Sequence, residues 1–467
     1  MRLHASISVV VAMALCACEI ADQSTTPQNL VQVDPEPPGA NCQYGGVAIE
    51  SGPDTNGNGV LDPSEVTSTQ YVCNGASVVS CAQGATSLQG QVTVQSASDL
   101  AQLQGVTCID GNLVIAGTDL VSLPQLATLT TVTGSVYVVG NTALPTLDDL
   151  ASVTEVGSIY FVQANSALTN VGALSKLQRV LSIQIIDNSV LPDLTGLESI
   201  TSLSAALNIS GNASLTSLTG LDNLTSSSQT MNIDSNPMLA STDALALLQS
   251  VPELDISSNS SLASVALPSL QNLSVVLTIN QNENLTDIEL PQLEAASEGV
   301  VVENNPLLSV LSLPDLLLTG ALSVEANTTL TSISAPKLAV AAADVNLIAL
   351  PALQTITTPS LQTIGGALFV ENVPMAQFTA FSQLETIGGQ LWLDGISATD
   401  FTGLSSLKGV AGNFVVIENA NLDSFAGLTS FTHVDGSVDI EQNPNLSAAT
   451  AQAFVNQITV RGTVTID

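Results

Sequence analysis

The chain has 467 residues; 45% are hydrophobic but only 3% aromatic, and 41 acidic residues stand against 6 basic ones for a formal charge of -35. Such a balance excludes nucleic acid and anionic membrane surfaces as partners and favours cations or basic partners. Few charges lie in the long repetitive part, which excludes a disordered acidic tail, and the scarcity of aromatics calls for an aliphatic core.

The first segment, "MRLHASISVVVAMALCAC", has a basic start at Arg2, an apolar run and small residues before a cysteine. It reads as a secretory signal over residues 1–17, too short to span a membrane as a stable helix. Leu15-Cys16-Ala17-Cys18 resembles a bacterial lipobox, which implies lipidation at Cys18; Cys16 departs from the usual small residue. Glu19 after the cysteine, where Asp would imply retention at the inner membrane, points to a surface-exposed lipoprotein of the outer membrane. A plain secreted protein is the alternative. Residues 18–40, rich in Pro, Gln, Thr and acid, read as a flexible tether.

Residues 41–80 form the next unit. Four cysteines remain beyond the signal, Cys42, Cys73, Cys81 and Cys108, and an even number in an exported chain implies two disulfides. Of three possible pairings, the local one, Cys42–Cys73 and Cys81–Cys108, is preferred; no CxxC spacing or nearby histidine supports a zinc site. Between the first two lies "DTNGNGVLDPSE", with the ligand spacing of an EF-hand calcium loop: Asp54, Asn56, Asn58, the Val60 carbonyl, Asp62 and Glu65 at positions 1, 3, 5, 7, 9 and 12. The flanks are no helix pair: Pro53 closes one side and "VTSTQYVC" is rich in β-formers. A static calcium staple is expected, not a sensor. Asn56 and Asn58 in place of aspartates lower the ligand charge, so affinity on the order of 0.1–1 mM is expected. A solvated Asn-Gly turn is the alternative. The cysteine-bounded stretch around the loop also resembles a small domain that recurs at the front of bacterial surface proteins.

From about residue 111 the sequence repeats. Asparagines recur 22 to 24 residues apart at 141, 165, 188, 212, 236, 259, 282, 305 and 327, and again at 372, 419 and 443, with Leu350 in the slot between. Before Asn141, Val136 and Val138 alternate as in a short strand; after it Leu144, Leu147, Leu150, Val153 and Val156 recur every third residue. That spacing walks around a helix and suits turning coils around a flat core. The expectation is a mainly β, right-handed single-coil solenoid over residues 81–467, about 15 coils of 22–24 residues, with residues 81–110 as its cap. Buried asparagines should stack as a ladder that satisfies backbone groups at the bends. The pattern G-x-L-x-I-x-x-N, in "GSVYVVGNTALPTL", "MNIDSNPML" and "VDIEQNPNL", resembles leucine-rich-repeat-like receptor L-domains, as in insulin-receptor-type ectodomains and fungal cell-wall proteins. That resemblance implies recognition of another surface molecule by the strand face.

The outward strand slots carry acids and no base. Trp392, the only tryptophan, alternates with inward Leu391 and Leu393, and with Val370, Val415 and Ile417 it defines an apolar patch rimmed by Glu371, Asp394 and Glu418; the alternative is that Trp392 covers an irregular coil where the register shifts. Polysaccharide lyases pair carboxylates and calcium with a base. Here Lys176, Arg179, Lys337, Lys408 and His433 fall on return segments and Arg461 at a turn, so no acid–base set forms. The S-x-x-K at Ser405–Lys408 lies on the core track without companion motifs. The expectation is a non-enzymatic, calcium-stabilised surface lipoprotein that binds a surface protein or glycan. The alternatives are a passive envelope spacer and, less favoured, a calcium-dependent lyase.

Overall fold

A computed structural model describes residues 29–36, 46–56, 58, 61–73 and 79–467. It separates into two compact units, Met1–Val78 and Val79–Asp467. The expected signal segment, Cys18 and Cys42 lie outside the described residues.

In the first unit three antiparallel strands run in order: β1 (Asn29–Glu36), β2 (Gly46–Pro53) and β3 (Ser68–Cys73). The start of the unit corrects the tether: residues 29–36 are a strand, paired from Asn29 opposite Pro53 to Glu36 opposite Gly46. Leu30, Val31 and Val33 supply β-formers that the surrounding prolines and acids mask in composition.

The second unit is a β-solenoid of about 17 turns, two more than the repeat count suggests, and only 7% of the structure is helix. Each turn begins with a short strand of the main parallel sheet, in one register from Val92–Val94 to Val464–Ile466. Inward and outward side chains alternate: in Leu254–Ser257, Leu254 and Ile256 are fully buried and Asp255 faces out. A second wall is a parallel sheet over Ser264–Ala266, Asp287–Glu289, Val310–Ser312, Ser332–Ser334 and Thr355–Thr357, and elsewhere includes single 3-10 turns such as Asp148–Leu150. The every-third-residue leucines of the return lie in the core as expected; Leu144, Leu147 and Leu150 are fully buried. At the front, helix α1 (Ala97–Ala101) is capped by Ser96, and Cys81–Cys108 form a disulfide.

The bend after each main strand fixes the fold. Asn141 accepts from the Thr118 amide at 3.1 Å, Asn165 from the Asn141 amide at 3.1 Å, Asn188 from the Asn165 amide at 3.2 Å, and so on to Asn327. Each side-chain amide in turn donates to a strand carbonyl of the preceding coil, as Asn236 does to Ile209 at 2.9 Å. The residue just before takes the left-handed conformation, with φ of +56° at Ser235 and Ser258. Two expectations need correcting here. Asn372 is not a rung: it has φ +53° and occupies the left-handed slot, while fully buried Val373 takes the rung position. Val370, one residue off the expected register, points inward and is fully buried; Phe369 takes the outward place. The ladder is therefore broken by Leu350, Val373 and Ile396, and resumes at Asn419 and Asn443.

The core is not aliphatic throughout. From Phe378 onward it takes in seven of the nine phenylalanines, among them Phe425 stacked on Phe454 of helix α2 (Ala448–Val455) at 4.3 Å between ring centres.

Asn236→Ala is expected to lower stability by about 1–3 kcal/mol, because it strips acceptors and donors from buried backbone groups. Tyr160→Phe should have the opposite sign. Tyr160 is fully buried with no protein partner for its hydroxyl, whose removal should add about 1 kcal/mol. Urea midpoints of the two variants check both.

Candidate functional sites: the 54–65 loop and the outer sheet face

The loop is carried between β2 and β3. Gly52, near its start, lies so close to the chain at Glu65 that a Cβ there would stand 1.8 Å from the Glu65 carbonyl oxygen, so glycine is required. Four of the expected ligands converge. The Asn56 and Asn58 side-chain amides donate to Asp62 Oδ2 at 2.6 and 3.0 Å, and the Asn58 backbone amide reaches Asp54 Oδ1 at 3.2 Å and Asn56 Oδ1 at 2.9 Å. A half-turn of either side-chain amide puts oxygen where nitrogen stands, so the set can present four oxygens to one cation.

Glu65 is engaged differently. It is 4% exposed, and Oε1 accepts from the Thr55 amide at 2.8 Å, the Thr55 hydroxyl at 2.7 Å and the Asn56 amide at 3.1 Å. Its Oε2 accepts from the Asp62 amide at 3.1 Å. Glu65 thus clasps the two ends of the loop. The Thr55 hydroxyl above all, then the Asp62 amide, hold its carboxyl below the ordinary glutamate range. Val60 and the expected Cys42–Cys73 pairing fall outside the residues whose side chains are described. Among the described residues no three acidic, histidine or cysteine side chains gather as a metal set, so amide oxygens have to complete any site here.

On the main sheet two outward rows run along the solenoid. One passes through Asn232, Asp255, Thr278, Val301, Ser323, Asn346, Phe369, Trp392 and Val415; the other through Asp234, Ser257, Asn280, Glu303, Glu325, Ile348, Glu371, Asp394 and Ile417. Phe369 and Trp392 are direct register partners, as are Trp392 and Val415. Both rings are half-buried, Val415 is 4% exposed beneath the surface, Ile417 is half-buried, and Glu418 is exposed in the left-handed slot. Trp392, Asp394, Val415, Ile417 and Glu418 therefore share one face, which Val370 does not join. Phe369 was missed because the misassigned rung at Asn372 shifted the reading by one residue.

Burial pushes the Asp255, Glu303 and Asp394 carboxyls up. Ser257 opposes this at Asp255, where Asp234 and Glu253 add to it; Glu325 adds to it at Glu303, where the Ser323 hydroxyl opposes. At Asp394 the nearby Trp392 indole opposes burial and Glu418 reinforces it. The indole N–H is itself buried and short of hydrogen-bond geometry. No lysine, arginine or histidine stands on either row. Lys337 pairs with Asp315 at 2.7 Å, Lys408 with Glu385, and Arg461 with Asp435 at 3.3 Å, all off these rows.

Residues 29–73 match a family described as Domain of unknown function (DUF7151), a span that takes in all three strands and the loop. No curated protein matches the chain in sequence.

Acidification should first stabilise the solenoid and only below the ordinary glutamate value destabilise the first unit. Stability contributed by Glu65, whose carboxyl is held low, is complete above the ordinary glutamate value near ~4.3 and is lost as pH falls through its depressed folded value. Asp255, Glu303 and Asp394 are raised, so their ionisation costs the solenoid stability that protonation returns as pH falls toward the ordinary range near ~4. Denaturation midpoints measured from about pH 6 down to about pH 4 should rise for the solenoid, and rise less in an Asp255→Asn, Glu303→Gln variant.

Proposed function

We propose that this protein is a non-enzymatic, lipid-anchored protein of the outer-membrane surface, in which a calcium-stapled module precedes a recognition solenoid that binds a surface protein or glycan. The observation that carries the binding reading is the outer face of the main sheet: a broad wall, backed at this point by the phenylalanine-rich core, bearing the half-buried Phe369–Trp392 pair and no base. Half-buried aromatic side chains held on a rigid sheet make strong contact sites at little entropic cost. The likeness of the coils to receptor L-domains, with a strand, an asparagine bend and an irregular return, supports the same use of the strand face.

Calcium fits the loop as a structural ligand. Asp54, Asn56, Asn58 and Asp62 would hold it, supplying two carboxylates and two amide oxygens, and its charge would offset the acids that meet there. Glu65 is taken up by backbone amides that close the loop, which leaves four groups for the metal, in keeping with weak affinity. The lipid anchor at Cys18 rests on the signal-like start and the cysteine that follows it.

Two outcomes are expected. Arrays of glycans and envelope proteins probed with the full chain in detergent should show saturable binding that Trp392→Ala weakens at least tenfold; uniform absence of binding would leave only a spacer. Calcium at tenfold excess over its Kd should stabilise the first unit by about 1.4 kcal/mol. Chelator should reverse this and leave the solenoid transition in place, as calorimetry can follow.

A further inference from the structure

On the recognition reading above, we infer that the partner docked over Phe369 and Trp392 is a basic polypeptide segment carrying an apolar anchor, not a neutral glycan. The argument is charge complementarity around an apolar centre. Phe369, Trp392 and Val415 are consecutive register partners in one outward row. The neighbouring row sets Glu371 and Asp394 beside the rings, while Asp439 and Glu441 occupy the two outward places on the strand after Val415. Glu418 stands exposed at the bend between them.

No positive side chain lies on either row to neutralise these five acids. Lys408 and Arg461, the nearest in sequence, are already paired with Glu385 and Asp435 away from the face. The like charges sit on neighbouring strands, about 4.8 Å apart, and burial together with Glu418 already pushes the Asp394 carboxyl up. A cationic segment would relieve that repulsion; a neutral sugar would leave it and desolvate the carboxylates further.

A second aromatic pair sharpens the contrast. Tyr137 and Phe161 meet at 5.9 Å between ring centres in the same row near the other end. Their neighbours in the second row are Val139 and Gln163, followed by Ile186, with no carboxylate among them. The same ring chemistry thus occurs once among five acids and once with a single one, Asp187, exposed in the left-handed slot after Ile186. Only the rimmed pair has the field to draw a basic segment.

Trp392 is the only tryptophan of the chain, so its fluorescence reports on this patch alone. The full chain in detergent is titrated with a twelve-residue peptide of alternating lysine and leucine, with the glutamate–leucine counterpart, and with a neutral dextran oligomer. The lysine peptide should change Trp392 emission saturably. Glu371→Gln with Asp394→Asn should raise its Kd about tenfold at low salt, and the effect should fade as salt shortens the screening length below ~10 Å. Phe369→Ala, which keeps the reporter, should also raise Kd about tenfold, whereas Tyr137→Ala should leave it unchanged. An unshifted melting transition in each variant shows that the fold is intact. Emission that responds to the dextran and not to the lysine peptide would overturn the basic-partner assignment while recognition at this face stands. Emission unmoved by any of the three, together with no array binding, would overturn both.

Discussion

The asparagine ladder is the interaction on which the rest of this molecule depends. Each coil must turn sharply after its strand, and it does so through a residue with φ near +55°, which at Ala164, Ala326 or Ala349 is a conformation that L-residues disfavour by roughly 1–2 kcal/mol. What holds the bend is the next residue. Asn236 alone accepts from two nitrogens of the preceding rung and donates to the Ile209, Asp234 and Asn259 oxygens. At about 0.5–1.5 kcal/mol for each net bond, the rung outweighs the strain of the turn. Because each rung bonds to the coils on both sides of it, the ladder also sets the register of the main sheet and hence which side chains face out.

That dependence explains how much could be read directly. The rungs repeat at 22 to 24 residues and the core residues at three, and both signals lie along the chain itself. Where the rung is apolar the signal inverts. Asparagine suits the left-handed slot as well as the rung, so Asn372, one place early, looks like a rung while Val373 does its packing. The "LFVE" strand repeats the alternation of "LWLD" and is the better guide: it places Phe369 beside Trp392 and buries Val370. The strand at residues 29–36 was hidden for another reason. Its partner is antiparallel and lies across a connection, so no local periodicity announces it. In the loop, spacing identified the converging groups, but it could not show that Glu65 clasps backbone amides, since that depends on three-dimensional closure.

The break in the ladder and the aromatic patch fall in the same coils. Leu350, Val373 and Ile396 remove the acceptors that the preceding amides would use, and immediately beyond them the core fills with phenylalanine. Packing of large side chains there takes over the role that directional bonds play elsewhere. The outer rows change character at the same place, from Asn232, Asp255 and Thr278 to Phe369 and Trp392. A solenoid allows this because each coil contacts chiefly its neighbours, so one stretch can be rebuilt without disturbing the remainder.

If the ladder is what orders the coils, stability along the solenoid should follow it rung by rung. Native-state hydrogen exchange resolved by coil tests this most directly. The amides of Asn141 to Asn305, each with an asparagine acceptor, should be the slowest to exchange among the rung positions. Those of Asn327, Leu350 and Val373, which face an apolar residue in the next coil, should exchange faster. Equal protection across the break, or greater protection within it, would contradict the account and place the ordering force in the hydrophobic core alone.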